Sequence, residues 1–204
     1  MTLLNIFAFA GAMFLLAITP GPGVFATISR ALASGFSNAA FVVFGIILGD
    51  IIFLLSAIFG LSAIASIMGD FFIIVKYVGG LYLLFLGYKI LTSKEKQTDV
   101  KGVQELSWKK NFVTGLLITL SNPKVILFYL GFLPTFVNLQ TLNILDITII
   151  ALVTILVIAC VLLTYAYSAS GAKNLFKSKS AKRKMNIAAG SVMITAGGAL
   201  IIKA

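Results

Sequence analysis

The sequence predicts an all-α, polytopic membrane protein of about six transmembrane helices, and three observations predict it. Of 204 residues, 60% are hydrophobic and only 11% are charged. A soluble domain of this length carries roughly 25% charged residues, so this chain lacks the charge needed to cover a water-facing surface. The charges it has stand between long apolar stretches, each near the roughly 20 residues that a helix needs to cross about 30 Å of hydrocarbon. Lys and Arg are also gathered in alternate connections, as they are in proteins that cross a membrane repeatedly.

Six stretches qualify as crossings. The first runs from about Leu3 to Thr19, meets Pro20-Gly21-Pro22-Gly23 and continues to Arg30; the second, about Ala39 to Gly60, contains Asp50. The third, about Phe71 to Leu91, carries Lys76 and Lys89; the fourth, Asn111 to Val137, is interrupted by Ser121-Asn122-Pro123-Lys124 and is expected to end at Pro134. The fifth, Ile147 to Ala172, has no charge, and the last runs from Met185 to Ile202. No Lys or Arg precedes the first apolar run, so a signal peptide, which requires a basic n-region, is not expected there.

Short loops rich in Lys and Arg stay in the cytoplasm. Thirteen of the 16 basic residues fall in the odd-numbered connections: Arg30, six Lys from Lys89 to Lys110, and the cluster Lys173 to Lys184. Asp70, Asp146 and Lys203 are assigned to the other side. Six crossings then place both termini outside, whereas a re-entrant first segment gives five and an internal N-terminus. The polar stretch 93–110 is a natural linker between two three-helix halves, 1–92 and 111–204, of one membrane domain. Each half opens with a Pro-interrupted segment. An odd number of crossings per half makes the halves inverted repeats, and matching broken helices point to a transporter's midplane site.

Several residues are candidates for chemistry. A carboxylate at mid-span costs roughly 2.5–3.5 kcal/mol, so Asp50 marks an ion or substrate path unless it only locks helices together. Its helical neighbours Ile46, Ile47, Phe53 and Leu54 are apolar, and its partner must come from another helix. Pro20 and Pro22 remove two amide donors while Gly21 and Gly23 bring no Cβ, so the helix breaks. A half-helix restarting near Val24 would offer unpaired amides and a positive dipole end to a carboxylate, though a simple packing kink stays open. Asn122, Pro123 and Lys124 form the second break, where Lys124 either meets a carboxylate, pairs with Asp50 or snorkels to an interface. Gly45 and Gly49, like Gly80 and Gly87, read as close-packing positions. Tyr82, Tyr129, Tyr165 and Tyr167 read as interfacial or packing residues, and Cys160 as a small buried apolar one.

Without His, and with Cys160 as its one cysteine, the chain has no Cys/His set for a zinc, haem or iron–sulfur centre and no internal disulfide. No cofactor and no metal are expected. The net charge of +10 does not indicate a nucleic-acid partner, because the basic residues lie between apolar runs rather than across a polar surface. The expected partners are a small-molecule substrate and the lipid bilayer; oligomeric state stays open, a homo-oligomer included.

The runs ITPGPGVFATISRALASG, GIILGD, KYVGGLYLLFLGYKIL and LSNPKVILFYLGFLPTFV resemble, in order and spacing, the LysE/RhtB family of bacterial amino-acid exporters. The resemblance implies an inner-membrane carrier that expels amino acids or their derivatives, driven by the proton gradient or the membrane potential. The family's PGP motif falls on Pro20, Gly21 and Pro22, its glycine-aspartate pair on Gly49 and Asp50, and its asparagine-proline-lysine motif on Asn122, Pro123 and Lys124. Both breaks are expected to meet around a zwitterion. Half-helix amides with Lys124 would hold its carboxylate, and Asp50 would hold its ammonium or exchange a proton for it. An exporter of another small solute or a cation is the alternative, followed by an intramembrane enzyme using Asp50 and Lys124.

Overall fold

The computed structural model describes residues 2–65, 107–139 and 141–171, with isolated helical positions between 77 and 92 and between 183 and 201. The third and sixth expected crossings, most of the 93–110 linker and nearly all of the Lys173–Lys184 cluster lie outside the described residues. So do Asp70, Lys76, Gly80, Tyr82, Gly87, Lys89 and Lys203.

Every regular element among the described residues is helical. Thr2 caps helix α1, Leu3–Ile18, by accepting from the Asn5 amide at 3.3 Å. The helix stops where it must: Thr19 precedes Pro20, and the proline ring pushes the residue before it into the extended region. Helix α2, Pro22–Ser34, starts two residues earlier than Val24, where the sequence suggested a restart. Proline at the first helical position forfeits only an amide that would lack an intrahelical partner, and its φ is already helical. Gly35 ends α2 at φ 85°, a conformation open to glycine, and α3, Phe36–Ala65, turns back from it.

Helix α4, Trp108–Leu120, is capped by Ser107, and α5, Pro123–Leu127, by Asn122, whose side chain accepts from the Lys124 amide at 3.2 Å. The chain then widens into a π-helical turn, Phe128–Phe132, before α6, Leu133–Phe136. Pro134 therefore does not end the helix. Proline has no amide for the Leu130 carbonyl and its ring would strike it in an α-helix; the wide turn falls on that residue and relieves the conflict. Helix α7, Ile144–Gly171, begins with a reciprocal capping pair. The Asp146 amide donates to Asn143 Oδ1 at 2.8 Å and the Asn143 amide to Asp146 Oδ2 at 3.3 Å. Asp146 thus lies in the first turn of the helix.

The α1–α2 and α4–α5–α6 pairs bend by 55° and 52° at their breaks. Helices α3 and α7 are by themselves long and apolar enough to cross a membrane. Large apolar side chains such as Leu117, Leu152, Leu156 and Phe59 are exposed, and so is Cys160, against the interior position expected from the sequence, while Asp50, Asn111, Thr119, Asn122, Lys124 and Thr154 are buried within a largely apolar core. An apolar exterior with charges kept inside is what a lipid solvent selects.

Helices α3 and α4 lie side by side and parallel, with Asn38 beside Asn111, Gly45 beside Phe112, and Gly49 beside Thr119. A Cβ on Gly45 would overlap the Phe112 carbonyl, and one on Gly115 the Val42 carbonyl. Such close backbone approach requires residues without side chains. Gly115→Ala is therefore expected to destabilise the fold by about 1–3 kcal/mol, the usual cost of overpacking. Gly60→Ala on α3, where a Cβ meets nothing within 4 Å, is expected to be neutral. Thermal unfolding of the purified proteins in detergent checks the pair.

Helix α7 packs on α1, α2 and α3. Its Tyr165 hydroxyl donates to the Ile18 carbonyl at 2.9 Å, and its Tyr167 ring stands edge-on to Phe36 at 6.3 Å. α2 and α4 each have 13 residues. At 1.5 Å per residue, both breaks and Asp50 lie about 20 Å from the helix ends near Ser34, Phe36 and Trp108. Equal path lengths bring three singular features to one depth.

Candidate functional site

The first break makes the partner for the second. In an unbroken helix the amide of residue 20 would bond to the Leu16 carbonyl, but Pro20 has none. Lys124 supplies the missing donor: its Nζ donates to the Leu16 carbonyl at 2.9 Å and to the Thr19 carbonyl at 3.0 Å. The ammonium thereby sits at the negative end of the α1 dipole. Gly21 makes room for it, since a Cβ there would lie 3.3 Å from Nζ and 3.6 Å from Cε. Pro20, Gly21, Pro123 and Lys124 thus form one joint, in which Asn122 caps α5 and Pro123 occupies its first turn.

Helix α2 presents its start differently. Its N-cap is Gly21, which has no side chain to offer, and the Phe25 amide closes the first helical bond on the Gly21 carbonyl at 2.9 Å. The Gly23 and Val24 amides have no protein partner among the described residues. Both residues line a partly open cavity of about 40 Å³, together with Asp50, Thr119, Asn122 and Lys124. Leu16, Ala17, Ile46, Val125, Ile158 and Leu162 complete its walls. By volume the cavity takes about two or three water molecules.

Asp50 and Lys124 line this cavity but form no ion pair; the lysine is engaged by α1 instead. Asp50 Oδ1 accepts from the Tyr129 hydroxyl at 3.1 Å. Oδ2 has no protein partner among the described residues. A carboxyl group, an amine and open amides lining one cavity can hold a molecule that carries a cation and an anion a few bonds apart. Among the described residues no group of three or more His, Cys, Asp and Glu could hold a metal ion.

The structure gathers the candidate residues of the two breaks and Asp50 at one place, although Pro20 and Pro22 contribute shape rather than contact. It adds Tyr129, which the sequence placed among packing residues. Tyr129 lies five residues after Lys124, a spacing that on an α-helix turns two side chains about 140° apart. Nothing in the composition announces that both belong to one site. The apolar walls likewise give no signal in a chain where apolar residues are everywhere.

The LysE type translocator family profile matches residues 14–204. A protein described as an uncharacterized membrane protein of Synechocystis sp. is 42% identical over 198 residues, covering 97% of this chain and 96% of its own. Leucine efflux proteins of Klebsiella pneumoniae and Salmonella choleraesuis are 30% identical over 134 residues and 32% identical over 132. These alignments cover 64% and 63% of this chain, and 61% and 60% of the relatives. No solved structure matches. With a profile match over nearly its whole length, the chain belongs to the LysE type translocator family.

Proposed function

We propose that the protein is a secondary transporter that exports amino acids or amino-acid derivatives across the bacterial inner membrane, with apolar side chains favoured. The observation that carries this reading is the convergence of Asp50, Lys124 and the open start of α2 on one largely apolar cavity. In it, the Gly23 and Val24 amides hold the substrate carboxylate, aided by a Lys124 N–H that α1 leaves unused. Asp50 Oδ2 holds the ammonium, and the aliphatic walls take the side chain. The efflux proteins that resemble this chain carry leucine in their name, which agrees with such walls.

At its present volume the cavity excludes an amino acid, so transport requires the helices to separate first on one side and then on the other. The joint between Lys124 and α1 and the Asp50–Tyr129 bond lie where that separation acts. Protonating Asp50 removes its hold on an ammonium group, which links release to proton uptake. A potential of 100 mV supplies about 2.3 kcal/mol per charge, roughly a 50-fold gradient.

A 55° bend leaves α2 advancing in the direction of α1, which supports a broken crossing over a re-entrant loop. The N-terminus then lies outside and the Arg30, Lys109 and Lys110 end in the cytoplasm. Matching bends of 55° and 52° support two inverted halves, 1–92 and 111–204, joined by 93–110.

The test is export from bacteria that overproduce the protein and are loaded with each amino acid in turn. External accumulation of a subset with apolar side chains, abolished by a protonophore, is the expected result. No accumulation of any amino acid or derivative, with the protein present in the membrane, would overturn the reading.

A further inference from the structure

A threonine inside a helix commonly turns its hydroxyl back onto the carbonyl four residues earlier. Thr27, Thr114, Thr148 and Thr164 do so, at 2.6–2.9 Å. Thr119 of α4 does not, although it is buried: its Oγ1 has no hydrogen-bond partner among the described residues. The rest of the side chain is packed. A Cβ on Gly49 would lie 2.8 Å from Thr119 Cβ and 2.9 Å from Cγ2, so the methyl group rests where Gly49 leaves room. Gly49 adjoins Asp50, which puts Thr119 against the turn of α3 that carries the carboxyl group. Nor is Oγ1 sealed off: open space reaches it, and the open space that Thr119 borders is the cavity it shares with Asp50.

The polar groups around this cavity divide by what they offer. Asn122 commits Oδ1 to the Lys124 amide and keeps the donors of its Nδ2. Lys124 and the Gly23 and Val24 amides are donors as well, and all of them suit a carboxylate. Acceptors are scarcer: with Asp50 Oδ1 taken by Tyr129, the lining side chains keep Asp50 Oδ2 and Thr119 Oγ1. An ammonium group carries three N–H donors, more than one oxygen can satisfy, and a donor left unpaired away from water is costly. We propose that Thr119 is a further cargo-binding residue, whose hydroxyl is the second acceptor for the ammonium group beside Asp50 Oδ2. This rests on reading the cavity as an amino-acid site. Asp50 supplies the charge, and Thr119 fixes the direction from which the ammonium group is held. A packing role predicts something different. Valine keeps a methyl group against Gly49, so packing alone makes Thr119→Val harmless.

The test is competition against labelled leucine on the purified full-length protein, with three competitors taken to saturating concentrations. Leucine has both charged ends, its methyl ester only the ammonium, and 4-methylpentanoate only the carboxylate. Thr119→Val is expected to weaken leucine and the ester by about 10-fold each, the usual effect of losing one hydrogen bond to a charged group. The affinity of 4-methylpentanoate should stay within about twofold of the parent. Thr119→Ser, which returns the hydroxyl without the methyl group, is expected to recover most of the loss. Parental affinities in Thr119→Val, or equal losses for all three competitors, overturn the proposal. A loss confined to leucine and 4-methylpentanoate overturns it too, since the hydroxyl would then serve the carboxylate. If Thr119→Val does not accumulate, Thr119→Ser against Thr119→Ala makes the same comparison, because that pair differs by the hydroxyl oxygen alone. A parent protein that binds none of the three refutes the amino-acid reading, and the role of Thr119 with it. Binding by the parent with no change in the variants refutes the role of Thr119 alone.

Discussion

Asp50→Asn is expected to lower energised export by about 10- to 100-fold while the amount of protein in the membrane stays within about twofold of the parent. Loss of a charge-assisted contact worth about 1.5–3 kcal/mol gives that range. Asparagine keeps an oxygen where Oδ1 accepts from Tyr129, so the buried hydroxyl is still satisfied. What disappears is the negative charge facing the cavity. Efflux from loaded vesicles, normalised to protein in the membrane, measures the effect. Export at the parental rate by the Asp50→Asn variant would remove the carboxylate from the mechanism.

Lys124→Met is expected to damage stability and export together. Methionine fills similar space but strips the Leu16 and Thr19 carbonyls of their donor. Each buried carbonyl left unpaired costs about 1–3 kcal/mol. A second substitution separates the two losses. Pro20→Ala restores a backbone amide one helical turn after Leu16, so the double variant Pro20→Ala/Lys124→Met is expected to regain part of the thermal stability. Export should stay low, because the cavity still lacks its cation and the break is straightened. Full recovery of export in the double variant would reduce Lys124 to a structural plug for a proline defect.

The joint between the breaks explains which features were legible in the sequence. Charge placement gave the crossings, because a basic residue inside hydrocarbon is costly whatever surrounds it. Pro20, Pro22 and Pro123 gave the breaks, because a missing amide acts locally. Asp50 and Lys124 stood out as charges within apolar runs. Their relation did not: Lys124 answers a vacancy left by Pro20 more than a hundred positions earlier, and only the packed helices bring the two together. The restart at Pro22 rather than Val24 follows from a rule of helix starts, and was within reach of the sequence. The π-helical turn was not, since it resolves a conflict between Pro134 and the demand that the helix continue to Phe136. Tyr129 was hidden for the same reason. Gly115 shows the opposite case: α3 offered a visible Gly45–Gly49 pair, while α4 met it with a single glycine that formed no pattern of its own.

In the proposed mechanism one cavity holds both ends of an amino acid, Asp50 taking the ammonium and the α2 amides with Lys124 the carboxylate. Binding of a labelled apolar amino acid to the purified protein, in competition with analogues lacking one end, tests it most directly. For leucine the analogues are its methyl ester, which keeps the ammonium, and 4-methylpentanoate, which keeps the carboxylate. Neither analogue is expected to displace the label at concentrations where unlabelled leucine does, and Asp50→Asn is expected to weaken binding of the label by about 10- to 100-fold. Displacement by both analogues as effective as that by leucine would contradict the two-ended site.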